Sequence, residues 1–377
     1  MEPIRRHREK LLFLMFGGAI SLVLLVIAGF QLIEFTDSTS FCGRLCHDVM
    51  YPEYTAYQAS PHSRVACSEC HVGPGADYLV KSKVSGTPMI LATVTGDYSR
   101  PIPTPVDNLR PARETCEQCH RPERFSGDLV RIHTTYAGDE QNTQKTDARV
   151  LRVGGGESEV AKDIHWHIAA RVWYLPLDRQ RQEIGWVGIE EKNSQITQFI
   201  DPQRVAEVTP ARIEKEKRLM DCMDCHNRAT HVFRSPNELI DTAITQGQID
   251  VSLPYIKREG LNALDPPNPS LSEAYTKAEA IMDFYQANYP RVAERNAAAI
   301  TAAIEKLKDI ARLTTFPEMN VTWETYINNA SHIASPGCVR CHGKLVATSG
   351  PQKDKAIDAG CESCHYFQLP PAIIINR

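Results

Sequence analysis

The sequence has no cysteine to spare for a structural disulfide. All 12 cysteines fall into six short repeats, each with two cysteines and a histidine directly after the second. Disulfides joining distant parts of the chain are therefore excluded, and the cysteines must serve another purpose. The repeats are Cys42/Cys46-His47, Cys67/Cys70-His71, Cys116/Cys119-His120, Cys222/Cys225-His226, Cys338/Cys341-His342 and Cys361/Cys364-His365.

Aromatic residues and excess positive charge are also scarce. Phe, Trp and Tyr make up 7% of the chain, and the formal net charge at pH 7 is −4. A protein that binds nucleic acid needs a basic surface, often with aromatic side chains on which bases stack. The sequence encodes no such surface, so we expect no nucleic-acid partner.

Three kinds of site use two cysteines at this spacing. Zinc takes four ligands and gives no reason for a histidine after every second cysteine. A thioredoxin-like redox pair would occur once, near a βαβ pattern. A c-type haem is bound through two thiols while the adjacent imidazole reaches the iron. The repetition therefore predicts six covalently bound c-type haems, with the six repeat histidines as iron ligands.

The first repeat, "FCGRLCHDVM", has one extra residue between its cysteines. The longer loop changes how His47 approaches the iron. Met50 follows three residues later, and Met is an alternative axial ligand that raises the reduction potential. We expect unusual axial ligation here, by His47 or Met50, and one open face is an option. The alternative is ordinary ligation by His47, with Met50 only packing nearby.

Histidines outside the repeats are numerous enough to supply a second ligand to each iron. One of them, His7, precedes the apolar N-terminal run, and six others follow it. We predict that these six are distal iron ligands, because two strong ligands suit an iron that only transfers electrons. The two histidines that flank Trp166 would point the same way as each other if the segment were a strand. The predicted distal ligands are His62, His133, His165, His167, His231 and His332.

The N-terminus predicts a membrane anchor. The segment from Leu11 to Ile33 carries no charge and is long enough to cross a bilayer as a helix. The basic run "RRHREK" precedes it and favours a cytoplasmic N-terminus. A cleaved signal peptide is the alternative, but the run is long and no A-x-A-like site follows it before Cys42. We expect a single-pass protein of the bacterial cytoplasmic (inner) membrane, with its haem domains on the periplasmic side.

The remaining sequence predicts a mostly α and irregular multihaem cytochrome c with one N-terminal transmembrane helix and a small inserted antiparallel β region. Residues 125–202 contain no cysteine and are rich in β-branched and aromatic residues. "ARIEKEKRLMDCMDCH" is expected to run as a helix into the fourth repeat. Two amphipathic helices follow, with apolar stripes at Ala274–Tyr285 and Ile300–Ala311 that we assign to the core. The predicted parts are a cytoplasmic tail (1–10), the anchor (11–33), a three-haem domain (34–124), the β-rich insertion (125–202) and a C-terminal three-haem domain (203–377).

The first 125 residues or so resemble the NapC/NirT/NrfH family of membrane-anchored multihaem quinol dehydrogenases. The likeness is carried by the charged N-terminus, the anchor, "FCGRLCHDVM" and "YPEYTAYQASPHSRVACSECHVGPGADYLVKSKVSG". In that family the first repeat is C-x-x-C-H-x-M, and this sequence has one more residue in each gap. The resemblance implies a quinol site formed by a lysine and an acidic residue after the second repeat, here Lys83 (or Lys81) and Asp97.

These features favour a hexahaem cytochrome that oxidises menaquinol or ubiquinol and passes electrons to periplasmic cytochromes or a membrane redox complex. Quinol releases two protons with its electrons, so its site also needs a base. One alternative is an electron-transfer or anchor subunit of a larger respiratory or redox complex, without its own quinol site. Another is a multihaem reductase of a small nitrogen compound, which would need an open iron in a polar pocket.

Overall fold

A computed structural model describes residues 2–106, 109–125, 127–156, 161–191, 195–332, 335–350 and 352–366, and gives only the backbone for residues 2–9 and 47–48. About half of the chain is helical, and the sheets are small and antiparallel. The predicted fold class is confirmed. The helices are α1 (Glu2–Asp37), α2 (His47–Gln58), α3 (Cys67–His71), α4 (Ala76–Thr95), α5 (Ala112–Thr115), α6 (Trp166–Ala169), α7 (Pro210–Glu216), α8 (Cys222–Cys225), α9 (Pro236–Thr245), α10 (Ile256–Leu264), α11 (Leu271–Asn288), α12 (Pro290–Arg295) and α13 (Ala297–Thr314).

Helix α1 contains the predicted anchor. Within the described residues, Lys10–Asp37 is the one stretch long and apolar enough to cross a membrane, and none of its most apolar part is buried within the protein. An apolar helix that no protein surface covers needs an apolar solvent around it. The helix therefore suits a membrane span.

Strands from distant parts of the chain form the sheets. A three-stranded sheet has the order β1-β2-β10, a five-stranded sheet the order β6-β3-β4-β5-β9, and β7 pairs with β8. Three strands that follow residue 202 thus pair with strands of the predicted β-rich insertion and join it to the C-terminal haem repeats. The strands are β1 (Leu129–Tyr136), β2 (Gln144–Leu151), β3 (Val172–Pro176), β4 (Ile184–Glu190), β5 (Ile196–Ile200), β6 (Arg218–Leu219), β7 (Thr315–Phe316), β8 (Val321–Thr322), β9 (Val346–Ala347) and β10 (His365–Tyr366).

Helices α9 to α13 enclose the largest apolar core and contain no haem repeat. The two predicted amphipathic helices are α11 and α13, and Ala274, Ala278, Ile281 and Tyr285 on α11 are buried as the periodicity indicates. On α13 the buried stripe includes Leu307. These helices form a scaffold beside the haem repeats.

The prediction of one continuous helix that runs into the fourth repeat is wrong. Helix α7 ends at Glu216, and Arg218–Leu219 instead pair with β3 as strand β6. A new helix, α8, then begins at Cys222 with a capping box between Asp221 and Asp224. The sheet edge and this cap together outweigh the helix propensity of the segment.

Candidate haem centres and the cavity beside the membrane helix

The turn type of each repeat follows its cysteine spacing. The C-x-x-C repeats form short α or 3₁₀ turns, in which residues three apart lie on the same side. The first repeat, with its extra residue, is a π-helical turn over Phe41–Leu45. A π-turn holds more residues per turn, so Cys42 and Cys46 also face one side. The extra residue is therefore accommodated within a compact turn.

All twelve cysteines lie in the described ranges, and none of them forms a disulfide. Eight are half-buried, whereas one cysteine in each of four repeats is exposed. In the third repeat the exposed one is Cys119, which follows the turn Cys116–Gln118 and donates its N–H to the Cys116 carbonyl oxygen at 3.2 Å. The fold of the polypeptide therefore does not bury Cys119, and its haem attachment stays a prediction that rests on the repeat pattern. The four exposed cysteines are Cys70, Cys119, Cys338 and Cys361.

Two neighbours shape the first repeat. A Cβ placed on Gly43 would lie 2.2 Å from the Tyr54 ring, so the close packing of α2 on the turn requires glycine. Met50 packs against a small apolar cluster that includes Phe316 and Met319. The side chain of His47 lies outside the described residues.

Four histidines that lie outside the repeats each have their imidazole ring next to the ring of a repeat histidine. The ring of a fifth, His165, packs against Phe125 at a centre-to-centre distance of 4.9 Å; burial lowers its pKa, and His226 adds to the lowering from a longer range. Each partner comes from a different part of the chain. The four ring pairs and their centre-to-centre distances are His62–His120 at 6.0 Å, His71–His231 at 6.3 Å, His167–His342 at 5.8 Å and His332–His365 at 6.0 Å.

These separations fit two imidazoles on opposite sides of one iron. An imidazole nitrogen binds zinc, another first-row metal, at about 2.0–2.1 Å, so two such rings have centres roughly 6 Å apart. The Nδ1 atom of His231 lies 3.0 Å from the Glu53 carbonyl oxygen, and Nδ1 of His167 lies 2.8 Å from that of Ile164. Such bonds leave Nε2 of each ring for the metal.

The protonation state of these histidines and the number of ligand side chains around them agree with binding to one iron. Burial lowers the pKa of His71, His167 and His231, which favours the neutral imidazole that binds metal. Buried Nδ1 atoms of His62 and His165 have no hydrogen-bond partner among the described residues. Within the same ranges no group of three or more His, Cys, Asp or Glu could hold a metal alone. Haem, which needs only two axial protein ligands, suits this arrangement better than zinc.

The expectation that His165 and His167 lie on a strand is wrong. His165 precedes α6 and His167 lies within it, because Ala170 N–H bonds back to Trp166 O and closes a helical turn. The His167 ring consequently lies beside the repeat histidine His342, whereas the His165 ring packs against Phe125. Strand β3 begins only at Val172.

His133 and the first repeat have no such pairing. His133 is exposed on β1, opposite Asp147 on β2. No ring contact joins it to a repeat histidine within the part of the chain that the structure describes. Among those residues, no second histidine faces the first repeat either.

The repeats follow one another in space in the same order as in the sequence. Burial raises the pKa of the Cys225 thiol to about 11, and the nearby Cys338 adds to the rise. Burial raises the pKa of Cys70 in the second repeat, and the third-repeat thiols Cys116 and Cys119 add to the rise. Similar interactions relate a thiol of each repeat to a thiol of the next, so attached haems would form one continuous row. The thiols that change each other's pKa are Cys42 with Cys67 and Cys116 with Cys222, through hydrogen bonds, and Cys70 with Cys116 and Cys119, Cys225 with Cys338 and Cys338 with Cys364, through charge alone.

Polar residues inside the fourth and fifth repeats lock these two units together. Asp224 is buried, accepts a hydrogen bond from the Tyr174 hydroxyl at 2.5 Å and pairs with Arg181 at 3.3 Å. Arg340 donates to the Asp224 carbonyl oxygen at 2.7 Å and to that of Arg181 at 2.8 Å. Burial and Asp224 raise the pKa of Tyr174. Sequence reasoning missed this hydrogen-bond network, although the charged residues Asp224 and Arg340 between the paired cysteines could have indicated it.

A second missed group supports the His71–His231 pair. The Glu53 carboxylate lies 3.1 Å from Arg228 and 3.3 Å from His231 Nδ1, and its backbone oxygen also bonds this ring. The Arg228 side chain, 8% exposed, stacks over Tyr326 and Phe233. These contacts hold His231 beside His71 of the second repeat.

A cavity of about 330 Å³ lies where α1 ends. It is bounded by the end of α1, the second repeat and the start of α4. Lys83 on α4 donates to Thr36 Oγ1 at 2.7 Å and forms an ion pair with Asp37. The lining residues are Asp37, Ser68, Glu69, Val72, Gly73, Pro74, Gly75, Ala76 and Leu79.

The structure does not bring the predicted pair Lys83 and Asp97 together. Asp97 follows the opposite end of α4, about 20 Å from Lys83 along the helix. Lys81 lies over the Tyr78 ring at 5.1 Å. The acidic partner of Lys83 is Asp37, which sequence reasoning missed because it lies 46 residues earlier, at the end of the anchor.

Comparisons with known proteins agree with these observations. The N-terminal region of the NapC/NirT cytochrome c family matches residues 5–102. The chain is 44% identical to the cytochrome c-type protein ImcH of Geobacter sulfurreducens over 364 residues, which cover 95% of this chain and 71% of ImcH. It is 26% identical to the cytochrome c-type protein TorC of Escherichia coli K12, over 43% of this chain and 42% of TorC. No solved structure matches. The chain therefore belongs to the NapC/NirT family of membrane-anchored multihaem c-type cytochromes, which take part in electron transfer.

Proposed function

We propose that the protein oxidises quinol at the cavity beside α1 and transfers the electrons through six haems to a periplasmic or membrane redox partner. The observation that carries the proposal is that Asp37, which lines this cavity beside the second repeat, forms an ion pair with Lys83. A volume of about 330 Å³ lies within the usual range of small-molecule sites. Family members interact with quinols and redox partners in general.

The roles of the two residues follow from their charges. Asp37 accepts a proton from one quinol hydroxyl, the Lys83 ammonium stabilises the negative charge that develops on that oxygen, and the second proton leaves to water. Haem supplies one-electron acceptors along the row of repeats. The site lies at the end of a membrane helix, which a lipid-soluble donor can reach.

The iron ligands that we assign are the repeat histidines with five distal partners. The pairs are His71/His231, His120/His62, His226/His165, His342/His167 and His365/His332. The first iron receives His47 or Met50, or keeps one face open, and His133 receives no iron. This assignment disfavours a reductase of small nitrogen compounds, because it leaves no open iron in the C-terminal repeats.

Reduction of the protein by menaquinol in proteoliposomes tests the site. We expect Asp37→Asn to slow haem reduction at least 10-fold, since the proton acceptor is lost, while the Soret spectrum stays unchanged. Asp97→Asn, which alters the acid at the far end of α4, should stay within 2-fold of the wild type. A slow Asp97→Asn variant with a normal Asp37→Asn variant would favour the sequence-based pair. Failure of every quinol to reduce intact haems would refute quinol oxidation itself.

A further inference from the structure

Helix α4 presents its most apolar face away from the protein. Val80, Val84, Leu91 and Val94 recur at helical spacing and are between 61% and 80% exposed. A helix on a water-soluble domain turns such a stripe toward the core. The inner face of α4 is occupied differently, by contacts such as that of Tyr78 with the Arg110 guanidinium at 3.8 Å. The outer stripe therefore has no cover within the described part of the chain.

The sequence of α4 suits a lipid interface. No charged residue occurs from Val84 to Gly96, and Lys81 and Lys83 lie just before this stretch. The stretch is about 20 Å long as a helix, too short to cross a hydrocarbon core of about 30 Å. The exposed Lys81 beside the apolar stripe can extend toward lipid headgroups, whereas Lys83 is paired with Asp37. These properties are those of a helix that lies in the membrane surface without spanning it.

The position of α4 is tied to the membrane anchor. Lys83 donates to Thr36 at 2.7 Å and pairs with Asp37, and both of these residues belong to the last turn of α1. The start of α4 is therefore held at the end of the membrane-spanning helix. Leu45 in the first repeat is also 67% exposed, which adds apolar surface to the same N-terminal part of the protein.

We propose that the Val80–Val94 face of α4 is a second membrane-contact element, with lipid acyl chains as its occupant. The anchor and α4 would then hold the haem-bearing part at two places. A single helix can rotate about its axis, whereas two attachments fix the orientation of the cavity toward the bilayer. This proposal concerns membrane contact and does not depend on quinol oxidation.

Accessibility of a single introduced thiol tests the proposal on the full-length haem protein. The variants are Leu91→Cys on α4 and, as a matched control, Ala280→Cys on the exposed side of the haem-free α11. Each is reconstituted into vesicles at less than one chain per vesicle on average and treated with a membrane-impermeant maleimide. We expect the Leu91→Cys thiol to react at least 10-fold more slowly than the Ala280→Cys thiol, and both to react fully in dodecyl sulfate. Wild-type protein gives the background, and an unchanged Soret band shows that each variant folds.

Equal labelling rates of the two thiols in vesicles would overturn the proposal. Protection of Leu91→Cys at high protein density that disappears on dilution would also overturn it, because a second copy would then be the cover. Protection that persists at one chain per vesicle supports lipid. Since no partner subunit is present in the vesicles, a partner's helix cannot produce that result.

Discussion

At the scale of single residues, each assigned iron takes its second imidazole from outside its own repeat. His62 directly precedes the second repeat but lies against His120 of the third, and His332 precedes the fifth repeat but lies against His365 of the sixth. Under this assignment every such pair would join two distant segments through one metal ion. Iron binding would therefore act as a set of crosslinks, in a protein whose cysteines form no disulfide.

Replacing His231 by alanine should change one haem and leave the others intact. The second-repeat iron would lose its distal ligand, so we expect one low-spin haem to become high-spin and its reduction potential to rise. Electron paramagnetic resonance with a redox titration measures both effects. His133→Ala is the control, because His133 is exposed on β1 and faces no repeat histidine in the described ranges. Loss of a low-spin signal in His133→Ala alone would contradict the assignment.

The sequence was enough to identify the repeat residues, because covalent haem attachment requires a fixed local pattern. It also listed the histidines that could act as second ligands. It could not show which histidine meets which repeat. His231 is held beside His71 by Glu53, which lies 178 residues earlier in the sequence. Asp37 was missed for the same reason, since its partner Lys83 is brought to it only by the folded chain.

At the scale of elements, α11 and α13 followed directly from their apolar periodicity, whereas the segments near the haem repeats did not. The break between α7 and α8 depends on pairing with the sheet and on a local cap, and α6 is a single turn closed by the hydrogen bond from Ala170 N–H to the Trp166 carbonyl oxygen. Short segments with mixed patterns are decided by tertiary contacts. The strands β6, β9 and β10 are each two residues long, too short to leave a period in the sequence.

A buried ion pair joins the helical scaffold to the β1–β2 hairpin. Lys257 lies 2.7 Å from Asp241, both side chains are less than 10% exposed, and Asp241 also accepts from the Tyr136 backbone at 3.1 Å. We expect Lys257→Met to lower the free energy of unfolding of α9 and α10 by about 3–5 kcal/mol, because Asp241 keeps a buried charge without its partner. Hydrogen exchange of amides in these helices measures the change.

The exposed pair Lys145–Asp147 on β2 provides the control. Lys145→Met should change stability by less than about 1 kcal/mol.

Burial lowers the pKa of Lys257. The unfolded chain therefore binds this proton more tightly than the folded chain does. The free energy of unfolding should rise with pH between the lowered pKa of the folded state and the ordinary lysine value of about 10.4. Lys257→Met should remove that rise, and a slope equal to that of the wild type would show that Lys257 is not its source.

At the scale of the whole molecule, the interactions between thiols arrange the repeats as one unbranched row that starts beside the membrane helix. Cys116 in the third repeat forms a hydrogen bond with Cys222 on one side. On the other side burial raises the pKa of Cys70, and Cys116 and Cys119 add to the rise through charge. The helical scaffold lies outside this row, since α9 to α13 contain no repeat. Electrons that enter beside α1 would thus pass the third haem before they reach the fourth.

Removing the haem of the third repeat should therefore divide the row. In the double variant with Cys116→Ala and Cys119→Ala we expect menaquinol to reduce only the first two haems rapidly, while dithionite still reduces all five that remain. The double variant with Cys361→Ala and Cys364→Ala is the matched control, because it removes a haem at the far end. In this control, every remaining haem that quinol reduces in the wild type should still be reduced at the wild-type rate.

Stopped-flow absorbance measures the fast phase, and intact mass confirms the haem number of each variant. A fast phase in the third-repeat variant that includes the last three haems would show a path around Cys116 and Cys119, and the single row would then be wrong.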